Sequence, residues 1–288
     1  MRVETDGELS MLLNEPLPQE WDSMLQKVAE PLEKAHTLPP AAYLNESIYR
    51  AEREALLKDV WHPVGRVEQV PEAGDYLCLE LLGQPVVMVR GRDDQVRVLS
   101  SICLHRAAPV ISGQGKQFKF TCPYHAWTYD LTGQLVRAPL MEGAEDFEEE
   151  KLCLPQATVE IWQGFVMANF SSAPSPFVSR IKGYDNFIAP FDLHEMQIVG
   201  TLDYHSEWNW KVLVENFMEA YHHIAIHSQT FEPNFHARDS QVPDNDGPWS
   251  ILHMPAATRV SPQVTQNCPS LRLMRCLLRS CFQCSYWR

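Results

Sequence analysis

The sequence lacks the features that would place it at a membrane or on a nucleic acid. A helix needs about 20 consecutive apolar residues to cross a bilayer, and no unbroken apolar run of the sequence comes near that length. The first residues, MRVETDGELSMLL, are acidic and have neither the basic start nor the small-residue cleavage site of a signal peptide. The formal net charge of −13 provides no basic surplus to neutralise phosphates or anionic lipid. We therefore expect a cytoplasmic protein with no nucleic-acid partner and no membrane partner.

A disulfide framework is not expected either, because thiols stay reduced in that compartment and serve as core residues, metal ligands or reactive groups. Cys78 and Cys153 lie in apolar, strand-like stretches, which favours places in the core. Four of the eight cysteines crowd the last 21 residues. Those four are Cys268, Cys276, Cys281 and Cys284. Their Cys-x-x-Cys has no second pair, so a zinc or redox role is not favoured there.

The pattern of residues divides the chain into four predicted segments. Residues 1–59 are helix-prone, with Ser47 as the expected N-cap of SIYRAEREALLKDVW. From residue 60 to 170, short alternating runs such as GDYLCLELLG and QPVVMVRG predict a small antiparallel β domain. Residues 171–267 form a second domain, in which IVGTLDYHSEWNW is expected to be a strand, and 268–288 are an atypical tail rich in Cys and Arg.

Two pairs of cysteine and histidine lie inside the predicted β domain. Cys103-x-His105 is followed, after sixteen residues, by Cys122-x-x-His125. Thiolate and imidazole together suit zinc or iron, and a closed structural zinc site is one interpretation. Zinc fingers, however, pair like with like, whereas each pair here is mixed. The mixed pairs favour a cluster with two different irons, one held by both cysteines and the other by both histidines.

The spacing C-x-H-x16-C-x2-H, with the flanking CPYHAWTYDLTGQL, resembles the Rieske [2Fe–2S] motif. The resemblance implies a one-electron carrier whose imidazole ligands raise the reduction potential. Respiratory-chain Rieske proteins carry two further cysteines where this chain has Ala108 and Tyr124, so the oxygenase and ferredoxin branch is the better match. Two departures from that branch are Ala107 and Ala126, which replace common glycines.

A second candidate metal site lies in NWKVLVENFMEAYHHIAIH, residues 209–227, which reads as an amphipathic helix. On a regular helix, His223 and His227 are four residues apart on one face and could form a metal pair. His222 would then point about 100° away. The plain alternative is a helix with incidental histidines.

The pattern N-W-K-x3-E-N-[FY]-x-E-x-Y-H-x4-H resembles the mononuclear iron motif of Rieske non-haem iron oxygenases. The resemblance implies that His222 and His227 hold Fe(II), so that the helix must loosen before His227. It implies further that Glu219 accepts a hydrogen bond from a histidine of each metal site, commonly across two subunits. Asn216 would line the iron site, and His223 would support the ligands or lie at the surface.

Two imidazoles and one carboxylate would leave open positions on Fe(II) for O2. The family's third ligand is an Asp far downstream, which this chain does not reach. Asp239, Asp244 and Asp246 are expected to lie in a turn-rich surface loop instead. Glu at position 219, where most ring dioxygenases have Asp, is more typical of members that oxidise quaternary amines.

The predicted fold class is α+β, a small antiparallel β Rieske domain followed by an incomplete helix-grip catalytic domain. The predicted function is that of a truncated Rieske mono- or dioxygenase α subunit. It would take electrons from a reductase or ferredoxin and use O2 to oxidise a small organic substrate, with a quaternary amine slightly preferred over an aromatic ring. Family analogy suggests a homotrimer. The alternative is an inactive remnant that binds the [2Fe–2S] cluster and only carries electrons.

Overall fold

The computed structural model describes residues 21–31, 33–141, 143–202, 205–244 and 247–256. The predicted tail 268–288, with its four cysteines, and Asp246 lie outside these described residues. None of the described helices is long and apolar enough to span a membrane. The chain forms two compact units. One unit, which we call the β unit, consists of Ala55–Arg180 and Asp192–Val199. The other, which we call the helical unit, consists of the described residues before Ala55, those within Ile181–Phe191 and those from Gly200 onward.

The β unit is built on a seven-stranded antiparallel sheet with the order β1-β10-β9-β4-β3-β2-β5. A second, three-stranded antiparallel sheet has the order β6-β7-β8. The strands are β1 His62–Arg66, β2 Asp75–Leu81, β3 Gln84–Arg90, β4 Val96–Ser100, β5 Gln114–Lys116, β6 Phe120–Thr121, β7 Thr128–Tyr129, β8 Leu135–Arg137, β9 Gln156–Trp162 and β10 Phe165–Asn169. Strand β1 ends at Arg66, and the chain continues as a 3-10 turn, Val67–Gln69.

Strand β3 separates two hydrophobic cores. Its residues 86–89 are all buried, because successive side chains point to opposite faces and both faces are covered. Val86 and Met88 pack into one core with residues of β1 and β10. Val87 and Val89 pack into the other core, which also contains both cysteines of the predicted cluster. The cluster cysteines are therefore fixed by the same packing that folds the β unit.

The described helices are short except for one. They are α1 Trp21–Val28, α2 Ala41–Leu44, α3 Glu46–Asp59, α4 Phe177–Arg180, α5 Asp185–Ile188 and α6 Trp210–Phe217. The expected N-cap at Ser47 is wrong, because the Asn45 side chain accepts the Ile48 N–H at 3.1 Å and Glu46 already lies in the helix. The strand expected over 198–210 is also wrong in its described part. From Gly200 on, the only β structure in the described residues is an isolated bridge between Gln241 and His253.

Helix α6 is anchored within the helical unit at both of its ends. At the start, the Asn209 side chain accepts the Lys211 N–H at 3.1 Å, and Lys211 Nζ lies 2.6 Å from Glu52 Oε2. Near the end, the Tyr43 hydroxyl lies 2.7 Å from each carboxylate oxygen of Glu215. Since the Lys211 side chain is only 6% exposed, its ion pair with Glu52 is largely removed from water. These contacts fix the helix from which the histidine segment departs.

Candidate metal centres

The first Cys-His pair lies in a six-residue loop with a tight hydrogen-bond pattern. The Cys103 N–H donates to the Ala108 carbonyl at 2.8 Å, and the Ala107 N–H donates back to the Cys103 carbonyl at 3.1 Å. Ala107 adopts a left-handed conformation with φ 52°. A residue with a Cβ atom is strained there, which explains why glycine is favoured at this place in the resembling proteins.

The second pair lies in a loop with the same backbone pattern. The Cys122 N–H donates to the Trp127 carbonyl at 2.8 Å, and the Ala126 N–H donates to the Cys122 carbonyl at 3.0 Å. Ala126 is also left-handed, with φ 57°. The histidine follows the cysteine by three residues here and by two residues in the first loop. The unequal spacing in the sequence thus corresponds to two loops whose backbones match.

Both cysteine side chains are buried beneath the loops, each only 3% exposed. The Tyr129 hydroxyl lies 3.3 Å from Cys103 Sγ and accepts the Leu104 N–H at 3.1 Å. Because the oxygen already accepts that N–H, its own hydrogen is available to donate to the sulfur. Burial, and next the bond to Cys103, raise the pKa of Tyr129, so the phenol stays protonated. The sequence carried no signal for this contact, which spans 26 residues.

The two histidines of the loops lie side by side at the surface. The ring centroids of His105 and His125 are 4.5 Å apart, at an interplanar angle of 64°. His105 also stacks on Trp127, with 4.9 Å between centroids and an angle of 11°. Desolvation, followed by the charges of His105 and Arg106, lowers the pKa of His125. That favours the neutral imidazole, which is the form that binds a metal.

This donor set fits a [2Fe–2S] cluster. Two buried thiols and two adjacent exposed imidazoles supply soft and borderline ligands in equal number. Throughout the described part of the chain, no three His, Cys, Asp or Glu side chains converge as ligands of a single ion. A closed zinc site needs four ligands on one ion, whereas a two-iron cluster asks for only two protein ligands per iron. The arrangement therefore favours the iron cluster over zinc.

The second candidate site begins where helix α6 ends. The helix that was expected to continue to residue 227 stops at Phe217, and a 3-10 turn follows at Tyr221–Ile224. The physical cause is Glu219, whose carboxylate accepts the backbone N–H groups of Tyr221 and His222, the latter at 3.2 Å. These N–H groups would otherwise bond back along a continuing helix. The pairing of His223 with His227 on one regular helical face is therefore wrong.

Three imidazole rings nevertheless gather in and just after the turn, His222 and His223 within it and His227 beyond it. The ring centroids of His222 and His227 are 5.3 Å apart. Glu219 Oε1 contacts His222 Nδ1, and Thr230 Oγ1 lies 3.2 Å from His227 Nδ1. With Nδ1 of each ring held by an oxygen, Nε2 is the nitrogen through which each ring could bind a metal. The pair could therefore supply two of the ligands of an iron.

His223 is buried, at only 2% exposure, which excludes the surface position that was one of its two expected places. Its ring stacks on Phe231, with centroids 5.4 Å apart. Its Nδ1 has no hydrogen-bond partner among the residues that the structure describes. Burial is the largest cause that lowers the pKa of His223, and the charge of His222 is the next, while a backbone hydrogen bond with Phe235 opposes them. The ring is thus held in its neutral form.

The remaining predicted site residue, Asn216, and the two described aspartates of the expected surface loop lie at the surface. Asn216 is exposed on α6. Asp239, in the 3-10 turn Ala237–Asp239, and Asp244 are exposed as well. Because no group of three acidic, histidine or cysteine side chains in the described ranges is placed to hold one ion, neither aspartate joins His222 and His227 as a ligand.

Two family comparisons divide the chain in the same order as these two sites. Residues 60–153 match the Rieske [2Fe-2S] domain. Residues 193–274 match the ring hydroxylating alpha subunit catalytic domain. The first range contains both Cys-His loops, and the second contains the three clustered histidines.

Similar whole proteins were also found. The carnitine monooxygenase oxygenase subunit of Escherichia coli (strain K12) is 30% identical over 193 residues, covering 66% of this chain and 52% of that protein. The glycine betaine monooxygenase oxygenase subunit of Chromohalobacter salexigens is 27% identical over 209 residues, covering 72% and 47%. A crystal structure of a quaternary ammonium Rieske monooxygenase is similar with a TM-score of 0.72 at 26% identity, covering 85% of this chain and 66% of that one. The chain spans about half the length of the curated relatives that it matches.

Proposed function

Because this chain belongs to the family of Rieske oxygenase α subunits, we propose that it is the oxygenase component of a Rieske mono- or dioxygenase. The observation that carries the proposal is the presence of two loops of matching backbone that hold two buried thiols and two surface imidazoles. The Rieske domain implies a [2Fe–2S] cluster and the catalytic domain a mononuclear iron. When bound, the cluster supplies one-electron transfer and the iron supplies O2 chemistry.

In the β unit, Cys103 and Cys122 would hold one iron, and His105 and His125 would hold the other. The buried cysteines keep one side of the site dry, while the surface histidines are open to an electron-donating reductase or ferredoxin. The backbone hydrogen bonds of both loops hold the cysteines in place before any metal arrives. Tyr129 donates a hydrogen bond to the Cys103 sulfur and so stabilises negative charge on it.

In the helical unit, His222 and His227 would hold the mononuclear iron through Nε2. Glu219 orients His222 by binding its Nδ1 and so leaves Nε2 as the nitrogen that faces the metal. Thr230 does the same for His227 with a neutral oxygen. Asn216, whose side chain is exposed on α6, would line the approach to the iron.

We propose a small quaternary amine as the substrate. The named relatives act on carnitine and on glycine betaine, and Glu219 is the acid that is typical of the amine-oxidising members. An aromatic ring is the competing substrate class. Assembly as a homotrimer, in which Glu219 would also meet a cluster histidine of a neighbouring subunit, is part of the same proposal.

The first experiment is to purify the chain anaerobically with iron supplied and to measure iron and acid-labile sulfide per polypeptide. The proposal expects two sulfides and three irons, and His227→Ala should lower the iron to two with sulfide unchanged. O2 uptake with a chemically reduced sample should then rise with carnitine, glycine betaine or choline and not with naphthalene. Uptake that is matched by oxidised amine supports the proposal, and uptake with naphthalene alone refutes the choice of substrate.

A second candidate function is a one-electron carrier that holds only the cluster. The observation in its favour is that no third ligand accompanies His222 and His227 within the described residues. It predicts two irons and two sulfides, no change in iron on replacing His227, and no O2 uptake coupled to an amine. The same iron analysis thus separates the two functions.

A further inference from the structure

His223 is a buried imidazole for which the proposed function has no use. It directly follows one proposed iron ligand and lies four residues before the other. A helix does not set its position, because α6 has already ended at Phe217. Its backbone N–H donates to the Ala220 carbonyl at 3.0 Å, as part of the 3-10 turn Tyr221–Ile224. The local backbone bonds, such as that from the Ile226 N–H to the His222 carbonyl at 2.9 Å, stop one residue short of His227, so side-chain contacts also bear on the distance between His222 and His227.

The His223 ring touches both proposed ligands. Its centroid is 4.8 Å from that of His222 and 5.5 Å from that of His227, and both pairs are edge-to-face with interplanar angles of 88°. On its other side it stacks on Phe231, whose ring in turn meets His227 at 5.1 Å. Edge-to-face ring contacts are directional. His223 and Phe231 together therefore limit how His222 and His227 can rotate.

The imidazole also offers a polar contact that an apolar ring could not make. The backbone of Phe235 lies within reach of the His223 ring as a hydrogen-bond partner, and since Nδ1 has no partner among the described residues, Nε2 is the nitrogen that faces it. That contact ties the histidine turn to the segment that carries Phe231. A buried nitrogen without a partner costs stability, and a phenylalanine would fill the same volume without that cost. The chain keeps an imidazole here in spite of the cost, which points to its N–H as the useful group.

We propose that His223 is a positioning residue that sets the separation and orientation of the His222–His227 pair through its ring contacts and its contact with the Phe235 backbone. The inference rests on the proposed function, in which that pair holds iron. His223 itself binds no metal in this proposal. Loss of a group that orients metal ligands typically weakens metal affinity by about tenfold to a hundredfold.

The test is made on the full chain, with the cluster loaded and oxidised. Binding of Fe(II) to the mononuclear site is measured by anaerobic equilibrium dialysis, and ligand geometry is measured by the electron paramagnetic resonance of the Fe(II) site with nitric oxide as the probe. His223→Phe keeps an aromatic ring and removes the N–H. We expect it to weaken Fe(II) binding by about tenfold and to change the resonance line shape. His223→Gln, which offers an N–H at a similar reach, should recover much of both.

Leu252→Val is the matched control. Leu252 is buried in the same core cluster as Phe235, so its change lowers the stability of the helical unit while leaving the three histidine side chains and Phe231 in place. We expect the control to shift the unfolding midpoint and to leave Fe(II) affinity and line shape unchanged. Equal affinity and line shape in wild type and His223→Phe would overturn the inference alone. So would a His223→Phe or His223→Gln protein that loses iron as completely as His222→Ala, because His223 would then be a ligand. A wild-type protein that binds no mononuclear iron would overturn this inference and the proposed function together.

Discussion

The hydroxyl of Tyr129 offers the sharpest test of how the protein controls its cluster. Replacing Tyr129 by Phe keeps the buried ring and removes only the hydrogen bond to Cys103 Sγ, at 3.3 Å, and the acceptor of the Leu104 N–H, at 3.1 Å. Reduction adds negative charge to the cluster and its sulfur ligands, so a donated hydrogen bond stabilises the reduced state more than the oxidised state. Its removal must therefore lower the reduction potential.

The magnitude follows from the strength of one hydrogen bond. A net contribution of about 1 kcal/mol is typical, and a bond to a group that gains charge lies at or above that value. For a one-electron couple a tenfold change in equilibrium is about 59 mV, or about 1.4 kcal/mol. If about 1 kcal/mol of stabilisation is specific to the reduced state, the potential falls by roughly 40 mV. The unpartnered Leu104 N–H should in addition cost about 1 kcal/mol of folding stability.

The assay is a potentiometric titration of the cluster, followed by its circular dichroism in the visible region. Tyr76→Phe is the matched control, because Tyr76 is a buried tyrosine of the same core whose hydroxyl donates to the Ser112 carbonyl at 3.4 Å and not to a cysteine. Its potential should equal that of the wild type. A Tyr129→Phe protein with full cluster content and an unchanged or higher potential would refute the reasoning.

Three further predictions concern stability. Ala107→Gly should raise the temperature at which the cluster colour is lost and stabilise the fold by about 0.5–1 kcal/mol. This net value is the strain relieved in the left-handed conformation minus the extra conformational entropy that glycine has in the unfolded chain. A lower temperature would contradict the strain argument. Lys211→Met should destabilise the helical unit by about 2–3 kcal/mol in denaturant titration, because it leaves Glu52 without its buried partner. Arg50→Met, which breaks a half-exposed ion pair with Glu46, should cost less than about 0.5 kcal/mol. Equal costs for the two variants would argue against a buried pair. Burial lowers the pKa of His62 below its ordinary 6.5, so the folded state binds fewer protons and the free energy of unfolding of the β unit should fall as pH drops through 6.5. His62→Gln should flatten that fall between about pH 7.5 and about pH 5.5, as measured by denaturant titration, and an unchanged slope would exclude His62 as its source.

The predictions that depended on short spacing agree well with the structure. Both Cys-His pairs lie within loops of six residues, so the spacing nearly dictates the loop, and the two loops match in their backbone hydrogen bonds. The alternating runs GDYLCLELLG and QPVVMVRG correspond to β2 and β3. The families expected from the two motifs match 60–153 and 193–274, in the expected order.

The predictions that depended on long regular elements were less accurate. The helix assigned to 209–227 ends at Phe217, because the Glu219 carboxylate captures the backbone N–H groups that the next turn would need. Hydrophobic periodicity shows only which positions are apolar. It does not reveal a side chain that competes with the backbone carbonyls for the N–H groups of a helix. The strand expected over 198–210 failed for a related reason, since a strand needs a partner and the sequence does not supply the pairing.

By itself, the sequence predicted the chemistry of the proposed metal ligands, the order of the two matched domains and the short loops that carry the Cys-His pairs, because each of these depends on residues a few positions apart. Only the tertiary structure decided that Tyr129 meets Cys103 across 26 residues, and that His223 turns inward against both neighbouring imidazoles. The reason is that burial and contacts between distant residues are properties of packing. A pattern of neighbouring residues constrains a loop directly, but it constrains a core only through the competition of all the side chains that fill it.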